Sequence, residues 1–162
     1  MAAPTLDGMT NTTNSPQQSA TVTPTVDSVW PCFAYTDARG AIRFLVDTLG
    51  FVGTEVYGEG ERVDHAALLW PYGGGVMLGS TGRGSPLDQH ADTGTAYLVL
   101  PDDASVDALY GRVLASAQAD DPAVRATVTV ELRDEDYGSH GFTCRDPHGV
   151  YWSLGTYRPR RP

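Results

Sequence analysis

Few side chains in this sequence could perform acid–base, nucleophilic or metal chemistry, and they are widely spaced. The candidates that titrate near neutral pH are four histidines and two cysteines: His65, His90, His140, His148, Cys32 and Cys144. His65 begins a stretch typical of a strand, whereas the other three histidines fall in a predicted linker, loop or turn. His65 is therefore the strongest candidate for a general base, with a structural histidine as the alternative reading. A metal site built from the histidines is less favoured.

Several other chemistries lack their usual signatures. We find no Ser/His/Asp set, no phosphate-binding glycine loop and no dinucleotide fingerprint, because the glycines at 73–75 precede a strand and not a helix. Cys32 and Cys144 lie in apolar strands, which predicts buried thiols and no disulfide framework. The cysteine usage predicts a reduced, cytoplasmic protein.

Composition excludes further classes. The net charge of −9 and the pI near 4.6 argue against nucleic acid and favour cationic over anionic ligands. A basic run at Arg158, Arg160 and Arg161 is interpreted as a solvated tail. No apolar run is long enough to span a membrane, and no secretory signal is visible. Residues 1–27 are rich in Thr, Ser, Asn and Pro and predict a flexible tail, although residues 20–26 alternate enough for an edge strand.

The remaining chain contains a repeat. Gly75 and Gly149 each follow a strand and a turn, and they are 74 residues apart. Apolar patterns predict the same element order twice: strand 30–35, helix 37–49 and strands 51–57, 62–70 and 76–79, then strand 96–100, helix 103–117 and strands 127–132, 141–144 and 150–154. Asp37 is the predicted N-cap of the first helix, and Gly50 its C-terminal glycine.

The predicted fold class is α+β, with two tandem βαβββ modules. The predicted boundaries are a tail at 1–27, a first module at 28–80, a linker at 81–93, a second module at 94–158 and a short tail at 159–162. Two similar units are expected to pack together and share a cavity.

Two motifs carry a resemblance to a known family. HAALLW at 65–70 and DEDYGSHGFTCRDPHGVYWSLGTY at 134–157 resemble the vicinal oxygen chelate superfamily, which includes glyoxalase I, bleomycin-resistance proteins and extradiol dioxygenases. The closing motif is similar to PhnB-like and bleomycin-resistance-like members. The resemblance implies a cup-shaped mixed sheet and a homodimer with ligand sites at or near its interface.

The resemblance also implies where a divalent metal would be bound. Metal-dependent members use residues in the first and last strands of each module. The corresponding positions here are Trp30, residues 94–96, Gly79 and Ser153, which do not supply the His or carboxylate ligands that such metals need. We therefore predict no metal and no other cofactor.

Aromatic, small and hydroxyl-bearing side chains occupy these strand faces instead. They suit a small organic ligand held by stacking and a few polar contacts, although each could simply fill the core. The predicted ligand-binding residues are Trp30, Cys32, Tyr57, His65, Met77, Tyr137, Tyr151 and Ser153.

Two function classes follow from the resemblance. The first is a metal-independent protein that sequesters an aromatic or cationic molecule in an apolar cup. The second is a lyase or isomerase, for which His65 and Tyr137 are the weak catalytic candidates, with Glu55 as a further acid–base group. A plain interaction module, with no functional cup, stays open as a third reading.

Overall fold

The computed structural model describes residues 29–159, which form eight strands and two main helices. The elements are β1 (Cys32–Tyr35), α1 (Ala38–Arg43, continued as a π-helix over Phe44–Leu49), β2 (Val52–Tyr57), β3 (His65–Leu69), β4 (Gly75–Ser80), β5 (Thr95–Val99), α2 (Asp103–Ser116), β6 (Thr127–Glu135), β7 (Ser139–Arg145) and β8 (Tyr151–Gly155). Short 3₁₀ helices cover Pro86–His90 and Pro122–Val124. The predicted tail at 1–27, including its possible strand, and Arg160 and Arg161 lie outside the described residues.

The strands form two four-stranded mixed sheets with the same connectivity. The first sheet has the order β1-β4-β3-β2 and the second has the order β5-β8-β7-β6. In each sheet the first and last strands of a module are parallel neighbours, so Cys32 lies beside Met77 and Thr95 beside Tyr151. The prediction of an α+β chain with two tandem βαβββ modules is confirmed.

Local signals position the helices as expected. The Asp37 carboxylate accepts a hydrogen bond of 2.7 Å from the Gly40 amide, and Asp102 does the same for Ser105 at 2.8 Å. Gly50 ends the first helix with φ of 90°, a conformation that glycine adopts without a steric penalty. Within residues 29–159, no helix combines the length and apolar character needed to cross a membrane.

One apolar core joins the two modules. The Trp152 ring, on β8, packs at 5.4 Å from the Phe33 ring and 6.0 Å from the Phe51 ring, both of the first module. The Arg112 guanidinium on α2 also donates hydrogen bonds of 2.7 and 2.8 Å to the carbonyls of Thr48 and Leu49. The helix-side faces of both sheets are therefore buried in a common core.

Because strand side chains alternate, each sheet has a second face that points away from this core. We call the face bearing Cys32 and Met77 the first open face. The face bearing Tyr97 and Ser153, which are register partners, is the second open face. The predicted site residues are distributed over these two faces.

The predicted end of β6 is wrong. The charged residues 133–135, predicted as a connection, extend β6, where Glu135 pairs with Ser139 of β7. A half-exposed strand tolerates charge on its solvent side, so the charge run did not mark a strand end. The predicted linker contains the short helix Pro86–His90, which begins with a capping box from Ser85 to Asp88.

Candidate functional site

The first open face carries a depression of about 190 Å³. Cys32 on β1, His65 on β3 and Met77 on β4 line it, together with Leu87 from the segment after β4. The register explains this grouping, because Cys32 lies beside Met77 in the parallel pair of strands. Three predicted ligand-binding residues thus lie together, on a surface that combines thiol, thioether and aliphatic groups with the His65 imidazole.

Two glycines on β4 allow larger side chains to cover this face. A Cβ atom at Gly75 would lie 2.5 Å from the Trp30 ring, so the indole lies against bare backbone at the start of the strand. At the other end, a Cβ atom at Gly79 would lie 2.9 Å from Nη2 of Arg83. The face therefore has an aromatic ring at one end and a guanidinium group at the other.

His65 has acid–base partners on the same face. Its Nε2 lies 4.0 Å from Oε2 of Glu55, and its ring stacks on Tyr57 at a centroid distance of 6.3 Å. The His65 side chain is 43% exposed. This arrangement can move a proton in a ligand that covers the face, and it can equally provide a stacking surface.

The second open face holds the remaining candidates. A depression of about 170 Å³ is lined by Tyr97, Tyr137, Thr143 and Ser153. The hydroxyl groups of Ser153 and Thr143 are 3.0 Å apart, and each could be the donor. Tyr151 is on the same face but does not line the depression.

The structure does not bring the two catalytic candidates together. His65 lies on the first open face, whereas Tyr137 lines the depression on the second. The Tyr137 ring contacts the Tyr157 ring edge-on at 5.5 Å and is 67% exposed. Within one chain, the predicted ligand-binding residues thus form two separate groups.

The strand positions suggested for a metal do not fit one. The sequence suggested Trp30 and residues 94–96 as the first-strand positions, but the register places Ala34 beside Gly79 and Tyr97 beside Ser153. None of these positions supplies a carboxylate, imidazole or thiolate, which are the usual protein ligands of a catalytic divalent ion. Among residues 29–159, no group of three or more His, Cys, Asp or Glu side chains could hold a metal ion.

The two cysteines have different environments. Cys144 is fully buried, and burial together with the nearby Asp146 carboxylate raises its thiol pKa to about 12. Cys32 is exposed, so the prediction of a buried thiol is correct for Cys144 and wrong for Cys32. Cys32 begins its strand on the side away from the core, where an apolar sequence does not guarantee burial.

Sequence reasoning missed several residues at these surfaces. Arg83 fell in a predicted linker, and Tyr97 was interpreted only as part of a strand. A larger depression of about 360 Å³ lies between the modules and is lined by Phe51, Trp70 and Leu98, among others. No predicted site residue lines it. Only the pairing of distant strands creates this depression, so local sequence patterns carried no signal for it.

Comparison with known proteins assigns a family model to most of the chain. The model described as Glyoxalase/Bleomycin resistance protein/Dioxygenase superfamily matches residues 28–154. No match to a curated protein is found.

Solved structures share the fold at low sequence identity. TioX from Micromonospora sp. ML1 is 24% identical, with a TM-score of 0.60 over 81% of this chain and 100% of that chain. A glyoxylase/bleomycin resistance protein/dioxygenase domain from Frankia sp. EAN1pec is 15% identical, with a TM-score of 0.60 over 82% and 99% of the two chains. A superfamily member from Sphaerobacter thermophilus DSM 20745 is 18% identical, with a TM-score of 0.56 over 81% and 98%. At these identities the likeness concerns the fold alone.

Proposed function

The chain belongs to the glyoxalase/bleomycin resistance protein/dioxygenase superfamily, and from this premise we propose that it binds a small organic molecule on its open faces without a divalent metal. Members of this superfamily bind small molecules. Fold alone does not decide between binding and catalysis, so the proposal rests on the side chains of the faces themselves.

The observation that carries the proposal is the composition of the first open face. The positions that the resemblance assigns to metal ligands hold Trp30 and Gly79, and the surrounding surface includes Cys32 and Met77. An indole and a thioether offer stacking and dispersion contacts to a planar ligand. An aromatic ligand is therefore favoured on this face. The net charge of −9 would additionally attract a cationic one at long range.

We propose further that the binding unit is a homodimer. Each open face carries only part of the predicted ligand-binding set, and residues on both faces are exposed, including Leu69 and Tyr97. If a second copy placed its second open face over the first open face of its partner, the two groups of predicted ligand-binding residues would lie together. It would also bury apolar surface that is rarely left open to water over a large area.

The test begins with native mass spectrometry of the untreated full-length protein, with metal analysis in parallel. We expect no stoichiometric divalent metal. Aromatic compounds are then screened by ligand-observed NMR in the presence of EDTA. Trp30→Ala should weaken binding of the hits by about tenfold, because stacking is lost. Leu114→Ala, which truncates an exposed side chain on α2 away from both open faces, is the control and should leave binding unchanged.

Catalysis is the second candidate function, and the contact between His65 and Glu55 supports it. If the protein is a lyase or isomerase, His65→Ala should abolish conversion of a bound hit while its affinity stays within about twofold. If it is a binding protein, no conversion of the hit is observed with the wild type. Stoichiometric metal, together with loss of binding on chelation, would contradict the metal-independent proposal.

A further inference from the structure

Arg83 is the cationic group of the first open face, and its position depends on the absence of a side chain at Gly79. The guanidinium lies where a Cβ atom of residue 79 would be, with Nη2 2.9 Å from that point. Gly79 is itself buried, so the guanidinium covers the backbone of β4 and lines the depression of this face.

The surrounding loop fixes this arginine at two points. Its backbone amide donates a hydrogen bond of 3.0 Å to Oδ2 of Asp88, the acidic member of the capping box that begins the helix Pro86–His90. Its Nη1 donates a hydrogen bond to the backbone carbonyl of Asp64. Both the backbone and the guanidinium of Arg83 are thus held before any ligand binds. Less side-chain conformational entropy is therefore lost when a ligand binds to it.

The charge of this guanidinium is not neutralised by the protein. Across residues 29–159, Arg83 forms no ion pair, and its Nε and Nη2 form no hydrogen bond. The acidic residue that lines the same depression, Asp64, directs its carboxylate to Arg62 at 2.7 Å instead. Two adjacent N–H donors therefore remain for a planar acceptor, the geometry in which arginine recognises carboxylates.

The rest of the face defines the body of the ligand. Trp30 covers Gly75, which is four residues before Gly79 on the same strand, or about 13 Å along it. Between them lies Met77, with Cys32 beside it. An aromatic ring near Trp30 and an acidic group near Arg83 would thus fit one ligand laid along β4.

We propose that Arg83 binds a carboxylate of the ligand, so that the first open face selects aromatic acids. This inference rests on the proposed binding function and replaces the cationic ligand that the net charge favours with an anionic one. The net charge of −9 repels an anion at long range, but salt screens such repulsion beyond about 10 Å. Direct hydrogen bonds to the guanidinium act at contact and determine the preference.

The experiment compares three probes that share one ring system and one flexible chain long enough to extend from Trp30 toward Arg83: 4-(2-naphthyl)butanoic acid, 4-(2-naphthyl)butanamide and 4-(2-naphthyl)butylamine. Their affinities for the full-length protein are measured by ¹⁵N NMR titration, with the Arg83 Nε–H signal followed directly. We expect the acid to bind at least about fivefold more tightly than the amide, and the amine most weakly. Only the acid should shift the Nε–H signal.

Two variants separate this contact from overall charge. Arg83→Gln should reduce binding of the acid to the level of the amide and leave the amide unchanged. Arg43→Gln removes the same charge from an exposed arginine that pairs with Asp121 at 3.0 Å, and it should preserve the order of the three probes.

Other outcomes overturn the inference in distinguishable ways. Equal binding of acid and amide by the wild type, a preference for the amine, or equal losses for acid and amide on Arg83→Gln would refute the role of Arg83 and leave the binding function in place. Failure of all three probes to bind at millimolar concentration would contradict the binding function as well.

Discussion

The carboxylate of Asp146 is buried and accepts hydrogen bonds from both modules. Oδ1 accepts the backbone amides of His148, Gly149 and Val150 at 2.8 to 3.0 Å. Oδ2 accepts the Tyr35 hydroxyl at 2.8 Å and the indole N–H of Trp152 at 3.2 Å. Burial, followed by the nearby carboxylate, raises the pKa of Tyr35, which keeps its hydroxyl protonated as a donor.

Asp146→Asn should destabilise the protein by about 2–3 kcal/mol. One carboxylate oxygen would be replaced by an amide NH₂ group. The N–H or O–H groups that donate hydrogen bonds to that oxygen would then face another donor in the protein interior. Urea unfolding followed by fluorescence measures the loss. Asp47→Asn, at an exposed position of the first helix, is the control and should change stability by less than about 0.5 kcal/mol. Equal unfolding midpoints for wild type and Asp146→Asn would show that the carboxylate does not stabilise the packing of the two modules.

At this scale the sequence predicted only part of what the structure contains. The motif Asp-Pro-His-Gly at 146–149 predicted a hairpin turn, which is present between β7 and β8. Its second role could not be predicted, because the Tyr35 partner lies 111 residues away and only the packing of the modules brings it near. Arg83 was missed for the same reason, since only the path of the loop places it over Gly79.

The second helix is attached to its sheet through His140. This β7 residue contacts Asp107 on α2 at 2.8 Å and Asp134 on β6 at 2.7 Å, and its side chain is largely buried between them. The hydrogen bonds to Asp107 and then Asp134 raise the pKa of His140 above its usual value. Protonated His140 thus connects three elements of the second module.

His140→Gln should therefore lower stability in a pH-dependent way. A histidine whose pKa is higher in the folded than in the unfolded state contributes most below the unfolded value of about 6.5. That contribution is lost as the pH rises through the folded pKa. We expect a destabilisation of about 0.5–1 kcal/mol at and below about pH 6.5, the range found for ion pairs with exposed carboxylates, which shrinks as the pH rises through the folded pKa.

Thermal unfolding of both proteins across this pH range measures the difference. His90→Gln is the control, because His90 is exposed at the end of the helix Pro86–His90. As a surface substitution it should change stability by less than about 0.5 kcal/mol. A constant difference between wild type and His140→Gln at all pH values would mean that packing, and not charge, accounts for the role of His140.

Most elements were predictable because local patterns determine them. The strand-helix-strand order, the Asp37 cap and the Gly50 terminus all follow from residues close in sequence. The π-helical winding of Phe44–Leu49 was not predicted, since an apolar helical period does not distinguish it from an α-helix. The strand residues 133–135 were also missed, because charge at a strand's solvent side resembles a loop.

Over residues 29–159, most of the helix-side faces are buried and much of the open faces is not. The edge strand β2 is exposed on both faces, and apolar residues on the open faces, such as Val52 and Leu69, are 55% and 39% exposed. The internal repeat predicted two modules that pack together and share a cavity, whereas they meet in an apolar core, and the closure of a cup depends on what covers the open faces. The proposed homodimer provides such a cover with a second copy of the chain.

Leu69→Lys is the variant that tests this cover. Leu69 pairs with Val52 and Gly75 on the first open face, so a lysine there would place an unpaired charge in a buried dimer interface. We expect the wild type to sediment as a dimer at micromolar concentration. The dissociation constant of the Leu69→Lys dimer should be at least about tenfold higher than that of the wild-type dimer. Sedimentation velocity measures both.

Leu114→Lys provides the matched control for this substitution. Leu114 is 49% exposed on α2, away from both open faces, and the same charge there should leave the dimer intact. If Leu114→Lys dissociates the dimer and Leu69→Lys does not, the copies associate through their helices, and both open faces remain accessible in the assembly. If the wild type sediments as a monomer, each open face must bind its ligand alone, and residues of the two faces cannot act on the same molecule.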